Sequence, residues 1–178
     1  MRNRFGVAAG CTVLAFFACN AVADHLPGNK IAGGKPDSSI CGFDTYQTPL
    51  KDIEASLGER DGADRDPVHE AGVTYRWNKG PLTILVKTYE VGNHQDRPPT
   101  WIEVSGTDPG RVCPTGRGVA LGDDMVAVRK AYGNRYGVIP PDHGRRMVTV
   151  EWKTLQTMDI DLGKEGRVVR INVAGEIE

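Results

Sequence analysis

A helix pattern that occurs twice is the feature that most constrains how this chain can fold. In the stretch "LGDDMVAVRKAYG", Met125, Val128 and Tyr132 lie on one face of a helix, since their spacing follows the helical period. Asp123 can cap the start of this helix, and Gly133 can adopt the left-handed conformation that ends it. The stretch therefore predicts a short amphipathic helix.

The same pattern appears earlier, in "TPLKDIEASLG". Thr48 can cap this second helix, Pro49 suits the first helical position, and Gly58 can end it. Three apolar residues share the spacing of the later stretch: Leu50, Ile53 and Leu57.

The correspondence continues beyond the two helices. "GVTYRW" aligns with "MVTVEW", so that Trp77 matches Trp152, and "WIEVSG" aligns with "RINVAG". Short turns such as "GKEG" between strands imply antiparallel pairing. We therefore predict an α+β fold of two tandem repeats, over residues 41–110 and 111–178. Each repeat would be a helix followed by about three antiparallel strands, with the helix on one face of its sheet.

Alternation along the strands separates an apolar face from a wet face. Trp77 and Trp152 fall on the apolar face and are predicted to lie in the core. Trp101 falls on the wet face, either as an interface anchor or covered by the long loop before it. The candidate binding residues all point outward: Arg76, Trp101, Glu103, Glu151, Asp159, Asp161 and Arg170.

The first 23 residues have the features of a secretory signal peptide, with Arg2 and Arg4 before an apolar run and a small-residue site ending at Ala23. A periplasmic or secreted protein is therefore expected, with a flexible arm over residues 24–40. An alternative is a lipoprotein anchored through Cys19. No stretch is long and apolar enough to predict a membrane span.

Two of the four cysteines, Cys41 and Cys113, follow the signal peptide. A pair of cysteines in an exported domain usually forms one disulfide. Such a bond would stabilise the fold by about 4 kcal/mol in the chain-entropy description. Neither cysteine has a sequence neighbour that would suggest a zinc site or a catalytic thiol.

The formal net charge is −1 and becomes −3 when Arg2 and Arg4 leave with the signal peptide, a mild value that favours neither nucleic acid nor an anionic membrane surface as a partner. The sequence contains no nucleophile elbow, zinc-protease motif or phosphate-binding loop. His69 beside Glu70, and Asp142 beside His143, form no acid–base pair in an extended segment, because adjacent side chains point apart. We expect no catalytic residue and no cofactor.

Asp159 and Asp161 raise the alternative of a calcium loop in "DIDLGKEG". An EF-hand loop needs a glycine at its sixth position and a glutamate at its twelfth. Here the glycine comes one position early, at Gly163, and Arg170 occupies the twelfth position. A solvated strand face is the preferred interpretation, and no metal is expected.

The residues of the later helix also carry a family resemblance. This exported chain resembles BamE-like and β-lactamase-inhibitor-protein-like modules in one short motif. The motif is Leu121, Gly122 and Asp123, followed by a helix that ends at Tyr132 and Gly133. Val128 belongs to the same pattern. The earlier helix lacks the Leu-Gly-Asp lead and shares less of it: Leu50, Ile53, Leu57 and Gly58. The resemblance implies tandem copies of a helix plus a sheet and a role in binding proteins.

The sequence thus predicts a non-catalytic exported module whose partner is another protein. Its sharpest form is an inhibitor or immunity protein that blocks an enzyme or toxin acting in the cell envelope. An alternative is a structural or assembly factor of the bacterial envelope, which lipidation of Cys19 would favour. A further alternative is an enzyme that uses the loop histidines His69 or His143.

Overall fold

The computed structural model describes residues 36–68, 71–90, 92–106, 110–133, 137–142, 145–152 and 156–175. The predicted signal peptide and residues 24–35 lie outside these ranges. The end of the predicted arm is packed against the domain, since Ile40 is fully buried and Asp37 is 5% exposed.

Strands dominate the described chain. In chain order, the elements are β1 (Ser39–Ile40), β2 (Phe43–Asp44), α1 (Leu50–Leu57), β3 (Gly62–Arg65), β4 (Gly72–Lys79), β5 (Leu82–Tyr89), a 3-10 turn (His94–Asp96), β6 (Trp101–Gly106), α2 (Met125–Tyr132), β7 (Gly137–Asp142), β8 (Arg145–Glu151), β9 (Thr157–Leu162) and β10 (Val168–Ala174).

Eight of these strands form one antiparallel sheet in the order β3-β4-β5-β6-β10-β9-β8-β7, and β1 and β2 form a separate hairpin. The junction at the centre of the sheet is the pairing of β6 with β10, in which Val104 lies opposite Ile171. The outermost strands are β3 and β7. The register of β7 against β8 shifts between Ile139 and Asp142, where two prolines occur.

The predicted α+β fold of two helix-plus-strand repeats is therefore wrong. The described chain is mainly one continuous antiparallel sheet, and its two α-helices have only eight residues each. The β6–β10 pairing places strands from both halves of the chain in the same sheet, over one shared core. Helices of about two turns are too short to form a complete layer over eight strands.

The two helices have different starts from those predicted. Asp124, not Asp123, caps α2 and accepts hydrogen bonds from the backbone N–H groups of Val126 and Ala127. Asp123 instead accepts from the N–H of Ala120. The residue before α1 is Pro49, which provides no side-chain cap.

One face of the sheet and the two helices enclose the apolar core. Leu50 and Ile53 of α1, and Val128 and Tyr132 of α2, pack into the same cluster as the inward side chains of the strands. Trp77 and Trp152 lie in this cluster, as strand alternation predicts: Trp77 is fully buried and Trp152 is 2% exposed. The opposite face of the sheet therefore carries the polar side chains, and we call it the outer face.

Cys41 and Cys113 form the predicted disulfide, which joins positions 72 residues apart. Cys41 lies in the turn between β1 and β2, and its backbone N–H donates to the carbonyl of Pro114 at 3.0 Å. The β1–β2 hairpin is therefore tied to the segment that leads into α2.

Replacing both cysteines, as in Cys41→Ser with Cys113→Ser, should lower the free energy of unfolding by about 4 kcal/mol, because the unfolded chain gains the freedom of an open loop. Urea denaturation of the variant and the oxidised protein measures the difference. Fully reduced wild-type protein is the matched control and should resemble the variant. Equal stability of oxidised and reduced protein would contradict the expected contribution.

Candidate functional site

The outer face brings together most of the residues predicted to bind a partner. Four of them lie on the adjacent strands β6, β10 and β9, near the middle of the sheet. Arg170 lies directly opposite Asp161 across the β10–β9 pair, and Asn172 lies opposite both Glu103 and Asp159. The residues in this central group are Glu103, Asp159, Asp161 and Arg170.

Arg170 joins two carboxylates at the centre of this group. Its guanidinium nitrogens lie 2.9 Å from Asp161 Oδ2 and 3.3 Å from Glu103 Oε2. Asp161 is only 4% exposed and Glu103 only 8%, although both side chains point away from the core. Removing a carboxylate from water is costly unless it is paired. The ion pairs with Arg170 therefore offset the cost of burying Glu103 and Asp161.

Asp159 is held separately, by neutral donors. Thr149 Oγ1 donates to Asp159 Oδ1 at 2.7 Å, and Asn172 Nδ2 lies 3.5 Å from Asp159 Oδ2. Strand alternation places Thr149 and Asn172 on the same face as Asp159, although neither is among the predicted binding residues. The strand alternation that placed them there was the available signal.

Burial raises the pKa of Glu103 above its ordinary value of 4.5, and the negative charge of Asp161 raises this pKa further. The Arg170 guanidinium acts in the opposite direction and lowers it. Since the net pKa shift is upward, burial is the stronger influence on this carboxyl group.

Trp101 lies at the edge of the central group, with Lys87 opposite it on β5 and Ala174 opposite it on β10. Trp101 is half-buried. This exposure is intermediate between the two predicted alternatives, an exposed interface anchor and a residue covered by the preceding loop. Lys87 was missed as a neighbour, and its Nζ lies 2.6 Å from Asp66.

Two predicted residues lie apart from this group. Arg76 is on β4, two strands from β6, and its guanidinium pairs with Asp64 of β3. Glu151 lies at the end of β8, opposite Thr157 of β9. The predicted face therefore consists of a central ionic group with Trp101 beside it and two more distant charges.

Within the described ranges, no group of three or more His, Cys, Asp or Glu side chains is arranged to hold a metal ion. Asp159 and Asp161 lie in strand β9, where Thr149 and Arg170 bind their carboxylates. His69, Glu70 and His143 lie outside the described residues, and the side chain of Asp142 is not described.

Among the helices that the structure describes, none has the length and hydrophobicity to cross a membrane.

Comparison with known proteins identifies no family. No family model matches the chain, and no curated protein matches it. A DUF4309 family protein (YjgB) from Bacillus subtilis subsp. subtilis str. 168 is 16% identical with a TM-score of 0.44, over 76% of this chain and 83% of that one. An extracellular protein containing a SCP domain from Bacillus anthracis str. Ames is 8% identical with a TM-score of 0.47, over 83% of this chain but 49% of that one. Neither similarity carries an argument about function, and the resemblance to BamE-like modules stays a prediction.

Glu103→Gln should change how stability depends on pH. A carboxyl group whose pKa is raised in the folded state contributes stability that is fully present below its ordinary pKa and is lost as pH rises through the raised value. The variant should therefore gain stability relative to wild type between about pH 4 and pH 7. Urea denaturation of both proteins at the two pH values measures this change.

Ser105→Ala is the control for this experiment, since it alters the same strand without removing a titrating group. It should shift the unfolding free energy equally at both pH values. A Glu103→Gln variant that behaves like Ser105→Ala would contradict the raised pKa.

Proposed function

We propose that this protein is an exported, non-catalytic binding protein that uses the outer face of its sheet to hold another protein. The most specific form of the proposal is an inhibitor or immunity protein that covers the active cleft of an enzyme or toxin in the cell envelope. The interlocked group of Glu103, Arg170 and Asp161 is the observation that carries the proposal.

This group supports binding because it is held in place before a partner arrives. Each of its three side chains is fixed by another member on a neighbouring strand, at 2.9 and 3.3 Å. Ordering flexible side chains at an interface is a large part of the cost of association. A face whose charges are already fixed by the sheet avoids much of that cost.

The charge of the face favours a basic partner surface. In the central group, Arg170 pairs with Glu103 and Asp161, and Asp159 adds a third carboxylate that Thr149 and Asn172 hold. Complementary charge increases the rate of encounter and selects among partners, more than it increases affinity. Trp101, at the edge of this group, adds the kind of aromatic surface that anchors many protein interfaces.

The Cys41–Cys113 disulfide supports export, because disulfides persist in oxidising compartments outside the cytosol. The apolar N-terminal stretch supports export to the periplasm or medium, with cleavage after Ala23. A fold cross-linked by a disulfide also suits an inhibitor, which must keep its shape against an enzyme surface.

The proposal is tested by immobilising the oxidised protein and offering it envelope extract and secreted proteins, with retained proteins identified by mass spectrometry. Retention of one enzyme at equal stoichiometry, with loss of that enzyme's activity in the complex, is the expected result. A retained protein that keeps its activity would overturn the inhibitor form. Retention of nothing at micromolar concentration would overturn protein binding itself.

Trp101→Ala should weaken the isolated complex by more than about 1 kcal/mol, because the substitution removes the aromatic anchor from the outer face. Calorimetric titration of the partner measures the change. Lys130→Ala is the control: Lys130 is exposed on α2, which packs on the other face, and its removal should leave affinity unchanged. Equal affinities for both variants and wild type would remove Trp101 from the interface.

A further inference from the structure

Polar side chains fill one end of the core, beneath residues 36–46, which we call the N-terminal strap. Thr45 of the strap reaches the sheet there, since a Cβ atom added to Gly175 would lie 3.4 Å from the Thr45 side chain. The buried polar residues at this end come from the strap and from the elements below it: Asp37, Ser38, Thr45, Thr115 and Gln156.

Most of this polar interior is satisfied by its own hydrogen bonds. The hydroxyl of Tyr132 donates to Asp37 Oδ2 at 2.7 Å and lies 2.9 Å from Thr115 Oγ1. The backbone N–H of Arg117 also donates to Asp37 Oδ2, at 3.0 Å. These hydrogen bonds join the strap to α2 and to the segment before it, and the strap covers this end of the core.

Three polar atoms in this interior lack a hydrogen-bond partner within the described part of the chain. They are the side-chain nitrogen and oxygen of Gln156, which is fully buried, and the indole nitrogen of Trp152, which is 2% exposed. Trp77 shows the usual arrangement, because its equally buried indole N–H donates to the carbonyl of Gly58 at 2.9 Å.

The unpartnered groups of Gln156 and Trp152 are neighbours. The β8–β9 register ends with Glu151 opposite Thr157, and the next pair is joined by the N–H of Trp152 donating to the carbonyl of Gln156 at 3.1 Å. Residues directly opposite on antiparallel strands have Cβ atoms about 5 Å apart and point to the same side of the sheet. Both side chains therefore enter the core together.

A direct bond between these two groups would not satisfy them. The indole N–H could donate to the Gln156 oxygen, but the two N–H bonds of the Gln156 amide would remain without an acceptor. Buried polar groups in native proteins nearly always have a partner, which is either protein or an ordered water molecule. We propose that Gln156 and Trp152 form a buried binding site for a small uncharged molecule that both donates and accepts hydrogen bonds.

The chemistry of the three atoms defines the guest. It accepts from Gln156 Nε2 and Trp152 Nε1 and donates to Gln156 Oε1. Water has this capacity, and so does a small primary amide. The three atoms are uncharged dipoles, which suits an uncharged molecule better than an ion.

Nuclear magnetic resonance on the oxidised protein tests the proposal without a variant. Nitrogen-edited nuclear Overhauser spectra should show cross-peaks from a long-lived water to the indole proton of Trp152 and to the side-chain amide protons of Gln156. The indole proton of Trp77 is the matched control within the same molecule. It should show no water cross-peak, since the indole N–H already donates to the carbonyl of Gly58.

Titration with acetamide distinguishes the two kinds of guest. Saturable shifts of the Trp152 and Gln156 side-chain signals, with the Trp77 signal unchanged, would assign the site to primary amides. Water cross-peaks without such shifts would assign it to water. Absence of both results would overturn the proposal. In Gln156→Met, if the variant folds, the Trp152 cross-peak should be lost; a retained cross-peak would overturn the joint site.

Discussion

The pairing of β6 with β10 is the contact on which the rest of the structure depends. It joins strands from the two halves of the chain along five residue pairs, from Arg170 opposite Ser105 to Ala174 opposite Trp101. Its inward residues, among them Val104 and Ile171, belong to the shared apolar cluster that both helices cover. Since alternate side chains point to opposite faces, burying one row of residues commits the other row to the outer face. This register places Glu103 of β6 beside the outward residues of β10, and the β9–β10 register adds Asp159 and Asp161 on the other side.

The two sides of the sheet handle buried polarity differently. On the outer face, Arg170 offsets the charges of Glu103 and Asp161, and the depth of these acids depends on that single guanidinium. On the core side, beneath residues 36–46, the polar groups are held by neutral and charged hydrogen bonds, except for the atoms of Gln156 and Trp152. The first arrangement gives a fixed charge pattern at the surface, and the second leaves dipoles enclosed within the fold. The described sheet therefore exposes one face to solvent and also encloses polar side chains at one end of its core.

Local pattern predicted which way side chains point, but not how the strands are arranged. The period of two placed Trp77 in the core and Glu103 on the other face, because that period is a property of each strand alone. The fold class depended on pairing between segments far apart in sequence, and β3, with the sequence "GADR", has no apolar alternation to reveal it. Adjacent aspartates made the cap of α2 ambiguous by one residue. In the same way, strand alternation predicted that Arg76 lies on the outer face. Only the three-dimensional strand order and contacts show that Arg76 pairs with Asp64, away from the central charges.

The strands at the two ends of the sheet bear on how the protein behaves at high concentration. An open sheet leaves backbone donors and acceptors at its margins, where another chain could add a strand. At one margin β3 has only four residues and presents Asp64 and Arg65, which disfavour a neighbouring strand. At the other, β7 contains Pro140 and Pro141, which have no N–H to donate, and its ladder shifts register there. Growth of the sheet from molecule to molecule, the first step towards fibrils, is therefore disfavoured at both margins by features of the strands themselves.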